Sequence, residues 1–344
     1  MCRHAAITGW GFCVPEKVLT NYDLEKMVDT SDEWIRTRTG IVERRIASSD
    51  QTTSSMGVIA AQRALDKAHL AAIDLDLILC ATCTPDHLIP ATACLIQHEL
   101  GAVNAAALDI NAACSGFVYA LVTASQFIMS GTYDRVLIVA AETLSRFVNW
   151  QDRNTCILFG DGAGAVLLEA TDQDGGLVSS VLGAQGDVGR LLTIEGGGSA
   201  KPANPDTLAN GEHCIRMKGN EVFKFAVRSM GQTAKQAIDK AGLKPEDIRK
   251  VIPHQANIRI IKATQEALGI PWEKVFVNVD RYGNTSAASV PIALCEFLET
   301  EEVSPGDNLL FVAFGGGLTW GAAVVRWIDV ESHISERVEG PYAI

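Results

Sequence analysis

Two long stretches of this 344-residue chain run through the same succession of segments, so any fold that accommodates it must contain one architecture twice. In the first stretch LDLILCAT reads as a buried strand, LIPATACLIQHELG as a helix, AAALDIN as a strand, SGFVYALVTASQFIMSG as a helix and YDRVLIVAAE as a strand. IRKVIPH, IRIIKATQEALG, VFVNVDR, TSAASVPIALCEFLETE and GDNLLFVAFG repeat that order in the second. Both first helices end in Leu-Gly, at Leu100-Gly101 and Leu268-Gly269, and both last strands open on an Asp, Asp134 and Asp307, in a D-x-x-L-x-V-A pattern. Strands alternating with helices predict βαβ units with largely parallel sheets, and the apolar runs VLIVAA and LLFVAF suit strands covered on both faces. Two such units are expected to pack helices together between two sheets. The turn ATDQDGG divides the chain into halves, residues 1–172 and 173–344, with no Pro-, Gly- or Ser-rich linker between them, so one compact body is expected. Residues 185–212, rich in Gly, Pro, Asn and Asp, read as an insertion of little regular structure that covers something.

Charge and hydropathy narrow the function classes. A net charge of -12 argues against broad binding to nucleic acid or to an anionic membrane, and leaves an acidic partner dependent on a local basic patch. The N-terminus lacks an apolar signal core and no window approaches the roughly 20 apolar residues that span a bilayer, so a soluble cytoplasmic protein is expected. Nine cysteines scattered through apolar segments of a long chain do not make a disulfide framework. Cys80 and Cys83 form a C-x-x-C, but a strand points them to opposite faces and no second ligand pair completes a metal site, so no metal is expected.

Three polar residues stand where chemistry is expected. Cys114, in DINAACSGF, lies where a strand hands over to a helix; unpaired N–H groups and the positive dipole end there favour thiolate over thiol. Placement alone equally suits a small buried thiol. An offset of 170 residues aligns Cys114 with Asn284 and Ala105 with Val275, which makes Asn284 the counterpart of the cysteine in the repeat. His254 follows KVIP at the C-terminal end of a strand, where open α/β sheets bind ligands, although a lone histidine is more often an interior imidazole with its hydrogen bonds satisfied. The glycines of FGGGLTWG suit a hairpin turn, and the same turn can offer amides to an oxyanion.

Taken together, SDEWIRTRTGI, DINAACSGF, ILFGDGAGA, MKGNEVFK, PHQANIRI, DRYGNTSAAS and FGGGLTWG resemble β-ketoacyl-acyl-carrier-protein synthase III, a thiolase-fold condensing enzyme of type II fatty-acid synthesis, from Ile7 to about Trp327. The resemblance implies an internally duplicated, five-layered α-β-α-β-α fold. It implies a Cys-His-Asn triad of Cys114, His254 and Asn284, with the backbone amides of Cys114 and Gly316 as the oxyanion hole. It further implies transfer of an acyl group from acyl-CoA to Cys114, followed by decarboxylative condensation with malonyl-acyl-carrier protein; acyl-CoA is then a substrate and no cofactor is called for. By the same resemblance Trp34, Arg38, Arg153, Gly219 and Asn257 hold CoA. Gln255, Ala256, Asn257, Ile258, Arg259, Lys224, Arg228 and Lys262 are expected to meet the acidic carrier protein, the basic pairs sharing helix faces. A homodimer is implied, with Ile89 as a pocket-wall residue for the partner subunit. Elongating ketosynthases, which pair the cysteine with two histidines, and degradative thiolases, which use a second cysteine near the C-terminus, are disfavoured by Asn284 and by the lack of any cysteine after Cys295. A starter synthase or acyltransferase of secondary metabolism and a non-catalytic CoA-binding protein are the competing readings.

Overall fold

The computed structural model describes residues 3–328; the tail that follows, to which the sequence assigns no function, lies outside the described residues. The first half comprises β1 (His4–Cys13), β2 (Val18–Thr20), α1 (Asn21–Glu25), α2 (Asp32–Thr39), β3 (Glu43–Arg45), α3 (Thr53–Ala68), β4 (Leu77–Ala81), α4 (Thr92–Leu100), β5 (Ala106–Ile110), α5 (Gly116–Met129), β6 (Arg135–Glu142), α6 (Arg153–Cys156) and β7 (Gly162–Thr171). The second comprises β8 (Gly176–Ala184), β9 (Leu192–Ile194), α7 (Pro205–Ala209), β10 (Ile215–Met217), α8 (Gly219–Lys240), β11 (Ile248–Pro253), α9 (Ile258–Leu268), α10 (Val279–Tyr282), α11 (Ser289–Thr300), β12 (Asn308–Gly315) and β13 (Thr319–Arg326).

Strand residues alternate between two cores. Leu77, Leu79 and Ala81 of β4 join a central cluster with α5 and α11, while Ile78 and Cys80 point the other way, onto α3 and α4. In the second sheet Leu309, Phe311 and Ala313 of β12 face the same central cluster, and Leu310, Val312 and Phe314 face α8 and α9. The result is five layers: α3 and α4, a sheet, α5 and α11, a second sheet, then α8 and α9. Phe117 of α5 and Phe311 of β12 meet edge to face across the middle, 6.1 Å between ring centres, so the two halves share one core.

The sheets are mixed, not largely parallel as the alternation of elements predicts. The first has the order β1-β7-β6-β4-β5, with β6, β4 and β5 parallel and β7 antiparallel to both its neighbours, β1 and β6; the second has the order β11-β12-β13-β8, in which only β11 and β12 are parallel. A hairpin joins β12 to β13, and such a return needs no crossover helix. The segment VFVNVDR also departs from its expected strand. Only Val275 bridges Val251, after which the chain turns into α10. The buried Gln255 carboxamide takes the place of a ladder there: its Nε2 donates to Phe276 O at 3.1 Å and its Oε1 accepts from the Asn278 N–H at 3.0 Å. The repeated Leu-Gly ends are the left-handed C-caps of α4 and α9, with φ of 69° at Gly101 and 68° at Gly269, a conformation that favours glycine. Residues 185–212 hold only short elements, among them β9, whose Leu192 lies over the cavity described next.

Candidate functional site

Strand β5 delivers Cys114 into a tight 3-10 turn, Ala113–Ser115, that runs directly into α5. Ala113 has φ of 47°, and its N–H donates to Asn111 Oδ1 at 3.2 Å. The second half repeats this turn: Ser286 has φ of 51°, its N–H donates to Asn284 Oδ1 at 2.9 Å, and the turn Ser286–Ala288 runs into α11. The repeat therefore pairs Asn284 with Asn111 and Cys114 with Ala287, an offset of 173 that also relates Asp134 to Asp307. The offset of 170 fails here because, between the Leu-Gly cap and the Asn of this turn, the second half carries fourteen residues against nine in the first, and α10 stands in that longer stretch where a continuous strand is expected. Asn284 reaches the site as the residue that braces its own turn. With Oδ1 engaged by Ser286, its Nδ2 hydrogens are the group left to face the cavity.

Cys114, His254 and Asn284 line one cavity, walled by Met217 and Phe223 from the outer layer and by Gly315 from the β12–β13 turn. His254 leaves the end of β11 with its N–H bound to Val312 O at 2.8 Å. The imidazole Nδ1 sits 2.6 Å from Ser289 Oγ, which leaves Nε2 as the free ring nitrogen. Burial holds this histidine neutral, its pKa lowered to about 3.

Burial works against the ionised sulfur that its helix position favours. Cys114 is 6% exposed. Burial pushes its thiol up to about 12 and the Glu142 carboxylate adds to the rise, while the Ser286 hydroxyl and the residue's own amide pull the other way. The helix end and the burial therefore act in opposite directions on the charge of the sulfur. The glycine turn lies hard against this loop: a Cβ on Gly315 would stand 2.6 Å from Cys114 N and 3.0 Å from Ser115 N. Gly316 adjoins the same loop, its nearest side-chain neighbour there being Ala113 Cβ.

At the rim, the Trp34 ring of α2 is flanked by the guanidinium groups of Arg38, Cζ 4.8 Å from its centre, and Arg153, Cζ 5.1 Å from it. Asn257 caps α9 and donates from Nδ2 to Arg38 O at 3.0 Å, tying this rim to the cavity wall that Asn257 and Gly219 also form. Ala256 lines the cavity itself, and Ile258 packs toward Gly40. Lys224 and Arg228 on α8 and Arg259 and Lys262 on α9 are exposed, and these two helices pack together, with Arg259 Cζ 4.9 Å from the centre of the Phe223 ring. Gln255 does not belong with them. It is 1% exposed and both ends of its carboxamide are engaged within the fold, so no partner reaches it. Leu88 and Ile89 are 83% and 88% exposed.

Three groups around the site escape the sequence reading. Glu142 closes the apolar run of β6, and its only sequence signal is an acid where an apolar strand ends; Ser286 and Ser289 lie within DRYGNTSAAS, a motif whose sequence reading singles out Asn284 alone. Cys83 lies past the end of β4, so it shares no strand with the buried Cys80; its sulfur stands 3.3 Å from Glu142 Oε1 and 3.7 Å from Ser286 Oγ. Among the described residues no group of His, Cys, Asp and Glu has the arrangement of a metal site, and no helix is long and apolar enough to cross a membrane.

The chain is similar over most of its length to proteins of one family. Residues 108–186 match the family model of 3-oxoacyl-[acyl-carrier-protein (ACP)] synthase III, and residues 238–327 match the model of its C-terminal part. The chain is 55% identical over 327 residues to the β-ketoacyl-[acyl-carrier-protein] synthase III of Roseiflexus sp. (strain RS-1), covering 95% of this chain and 99% of the relative. A crystal structure of 3-oxoacyl-[acyl-carrier-protein] synthase III from Aquifex aeolicus VF5 superposes with a TM-score of 0.87 at 51% identity, over 94% of this chain and 100% of the other. The priming β-ketosynthase of the R1128 polyketide pathway has a TM-score of 0.88 over 95% of this chain and 97% of its own, at a lower identity of 35%.

Proposed function

Because the chain belongs to the β-ketoacyl-[acyl-carrier-protein] synthase III family, and so is an acyl-transferring condensing enzyme of fatty-acid synthesis, we propose that Cys114, His254 and Asn284 are its catalytic residues. The observation that carries this assignment is their convergence on one cavity from both halves of the chain, residues 1–172 and 173–344. In the first stage the Cys114 sulfur attacks the thioester carbonyl of acyl-CoA, the amides of Cys114 and Gly316 receive the oxyanion, and CoA leaves. The cysteine itself, with no bound cofactor, carries the acyl group. In the second stage malonyl-acyl-carrier protein loses carbon dioxide. The enolate that forms accepts hydrogen bonds from His254 Nε2–H and Asn284 Nδ2–H, and its carbon attacks the Cys114 thioester.

Two features support these donor roles. A neutral imidazole offers an Nε2 proton when Nδ1 accepts from the Ser289 hydroxyl, and the 2.6 Å contact suits that arrangement. Burial keeps both donors away from water, where fixed dipoles act most strongly on developing charge. The cluster of Arg38, Trp34 and Arg153 suits an adenine ring and the phosphates of CoA, with Asn257 and Gly219 along the pantetheine arm. The exposed cations Lys224, Arg228, Arg259 and Lys262 suit an acidic carrier protein. The exposed Leu88 and Ile89 suit a second copy of the chain as partner in a homodimer.

Intact-mass spectrometry after exposure to a mixture of acyl-CoAs tests the first stage. One acyl group on Cys114 is expected, with condensation to a β-ketoacyl product when malonyl-acyl-carrier protein is added. Cys114→Ala should lose both by roughly 10³-fold or more. Normal condensation by that variant would overturn the assignment.

A further inference from the structure

The amides of Cys114 and Gly316 come from opposite halves of the chain, so an oxyanion hole made of both exists only while residues 112–115 and 315–318 keep their relative places. The close approach at Gly315 sets how near the two stretches can come. Repulsion of that kind does nothing to stop them parting. On its far side the glycine turn is tied to the residue after β8: Leu318 N–H donates to Gln185 O at 2.9 Å, and Gln185 N–H donates to Leu318 O at 2.8 Å. On the near side one hydroxyl holds it. Thr319 pairs with Gly315 where β12 returns as β13, and its Oγ1 donates across to Ala112 O at 2.8 Å. Ala112 O also accepts the Ser115 N–H at 3.1 Å, the bond that closes the turn around Cys114, so the hydroxyl takes the second lone pair of that carbonyl. Thr319 Oγ1 stands 3.2 Å from Gly316 O in its own turn and 3.3 Å from Oγ of Ser115, which is 0% exposed. A hydroxyl has one proton, and the shortest of these three contacts, the one to Ala112, takes it. Among the described residues, no other side chain of β12, β13 or the turn between them hydrogen-bonds the cysteine loop.

We propose that Thr319 is a positioning residue that couples decarboxylation to condensation by holding the glycine turn on the nucleophile loop. The two events of the second stage draw on different groups. Loss of carbon dioxide from malonyl-acyl-carrier protein needs the His254 and Asn284 donors at the enolate oxygen. Carbon–carbon bond formation needs the oxyanion hole. As the enolate carbon bonds to the acyl carbonyl carbon, the carbonyl π pair moves onto oxygen and the Cys114 and Gly316 amides receive the charge; its return breaks the C–S bond and releases the Cys114 thiolate. A turn that has drifted from the loop leaves the first event unchanged and slows the second. The enolate carbon then takes a proton from water, and acetyl-acyl-carrier protein leaves without joining the acyl chain. His254 and Asn284 are braced separately, by the Ser289 hydroxyl and the Ser286 N–H, so loss of the Thr319 hydroxyl does not reach them.

This inference rests on the proposed acylation of Cys114, and loading the chain to one acyl group by intact mass before malonyl-acyl-carrier protein is added keeps the two claims apart. Thr319→Val keeps the branched shape without the hydroxyl. It should slow single-turnover acylation about tenfold, with half-saturation by acyl-CoA within about twofold of wild type. On the loaded chain carbon dioxide should form at the wild-type rate, with less than about half of it matched by β-ketoacyl product and the rest by acetyl-acyl-carrier protein. Wild type should match carbon dioxide and condensed product one to one, and Thr319→Ser should restore both the rate and the match. Wild-type rate and match in Thr319→Val would overturn the coupling role, and so would equal slowing of carbon dioxide and product, the mark of a purely structural loss. A wild-type Cys114 that takes no acyl group would overturn the proposed function instead. Should circular dichroism show Thr319→Val unfolded, Thr319→Ala, which removes atoms and adds none, decides by the same ratio.

Discussion

Replacing Gly315 with Ala tests whether the glycine turn is held against the nucleophile by contact. The added Cβ would stand 2.6 Å from Cys114 N, 3.0 Å from Ser115 N and 3.1 Å from Ala112 O, and all three are backbone atoms that cannot swing away. Ordinary contact begins near 3.4 Å, so the turn and the cysteine loop must part by about 0.8 Å. Overpacking of this kind destabilises by about 1–3 kcal/mol. A displacement approaching 1 Å at a reacting centre can slow chemistry by about 10²-fold. The neighbouring glycine is the control. A Cβ on Gly316 meets Leu192 O at 3.4 Å and Ala113 Cβ and Leu192 Cγ at 3.6 Å, all ordinary contacts, so Gly316→Ala fits and keeps its amide. Single-turnover acylation of Cys114, measured beside a urea midpoint, should show Gly315→Ala slowed about 10²-fold and Gly316→Ala within about threefold of wild type. Equal effects at both positions, or full activity in Gly315→Ala, would refute the argument that the close approach sets the geometry.

Acid should destabilise the fold through His254. Its folded pKa, about 3, lies below the roughly 6.5 of an unfolded histidine, so the contribution is complete above pH 6.5 and falls as pH drops toward 3 because the unfolded chain takes a proton the native state refuses. The slope should approach about 1 kcal/mol per pH unit, and urea midpoints between pH 7 and 4.5 should fall less steeply in His254→Asn; parallel slopes would exclude His254 as the cause. Glu142 and Asp161, whose pKa values burial raises, act in the opposite sense, so the comparison with the variant isolates the histidine. Glu296 accepts from Asn278 Nδ2 at 2.7 Å, from Tyr282 OH at 2.6 Å and from the half-exposed Arg281, bracing α10 just before Asn284. Glu296→Ala strands two buried polar groups and should cost about 3 kcal/mol, with condensation slowed more than acylation because the perturbation reaches Asn284 and not Cys114; equal slowing of both stages would count against that route.

Residue order alone discloses the duplication, the strand-helix alternation, the fivefold layering once the family resemblance is admitted, and the three residues that meet in the cavity. Each is written in local patterns: strand residues such as Leu309 to Phe314 that alternate between two cores, or the Leu-Gly pairs that become left-handed caps. Register in the repeat was legible only as far as the strand held. The Gln255 carboxamide replaces a strand ladder, the stretch holding α10 is five residues longer than its counterpart, and Asn284 thereby pairs with Asn111 instead of Cys114. The burial of the nucleophile, the burial of Gln255 and the neighbours of Glu142 were settled by folding. All three follow from desolvation and from contacts between residues far apart in the chain, such as Cys83 with Ser286, and a local pattern of residue types carries no record of which distant groups will exclude water from a given atom.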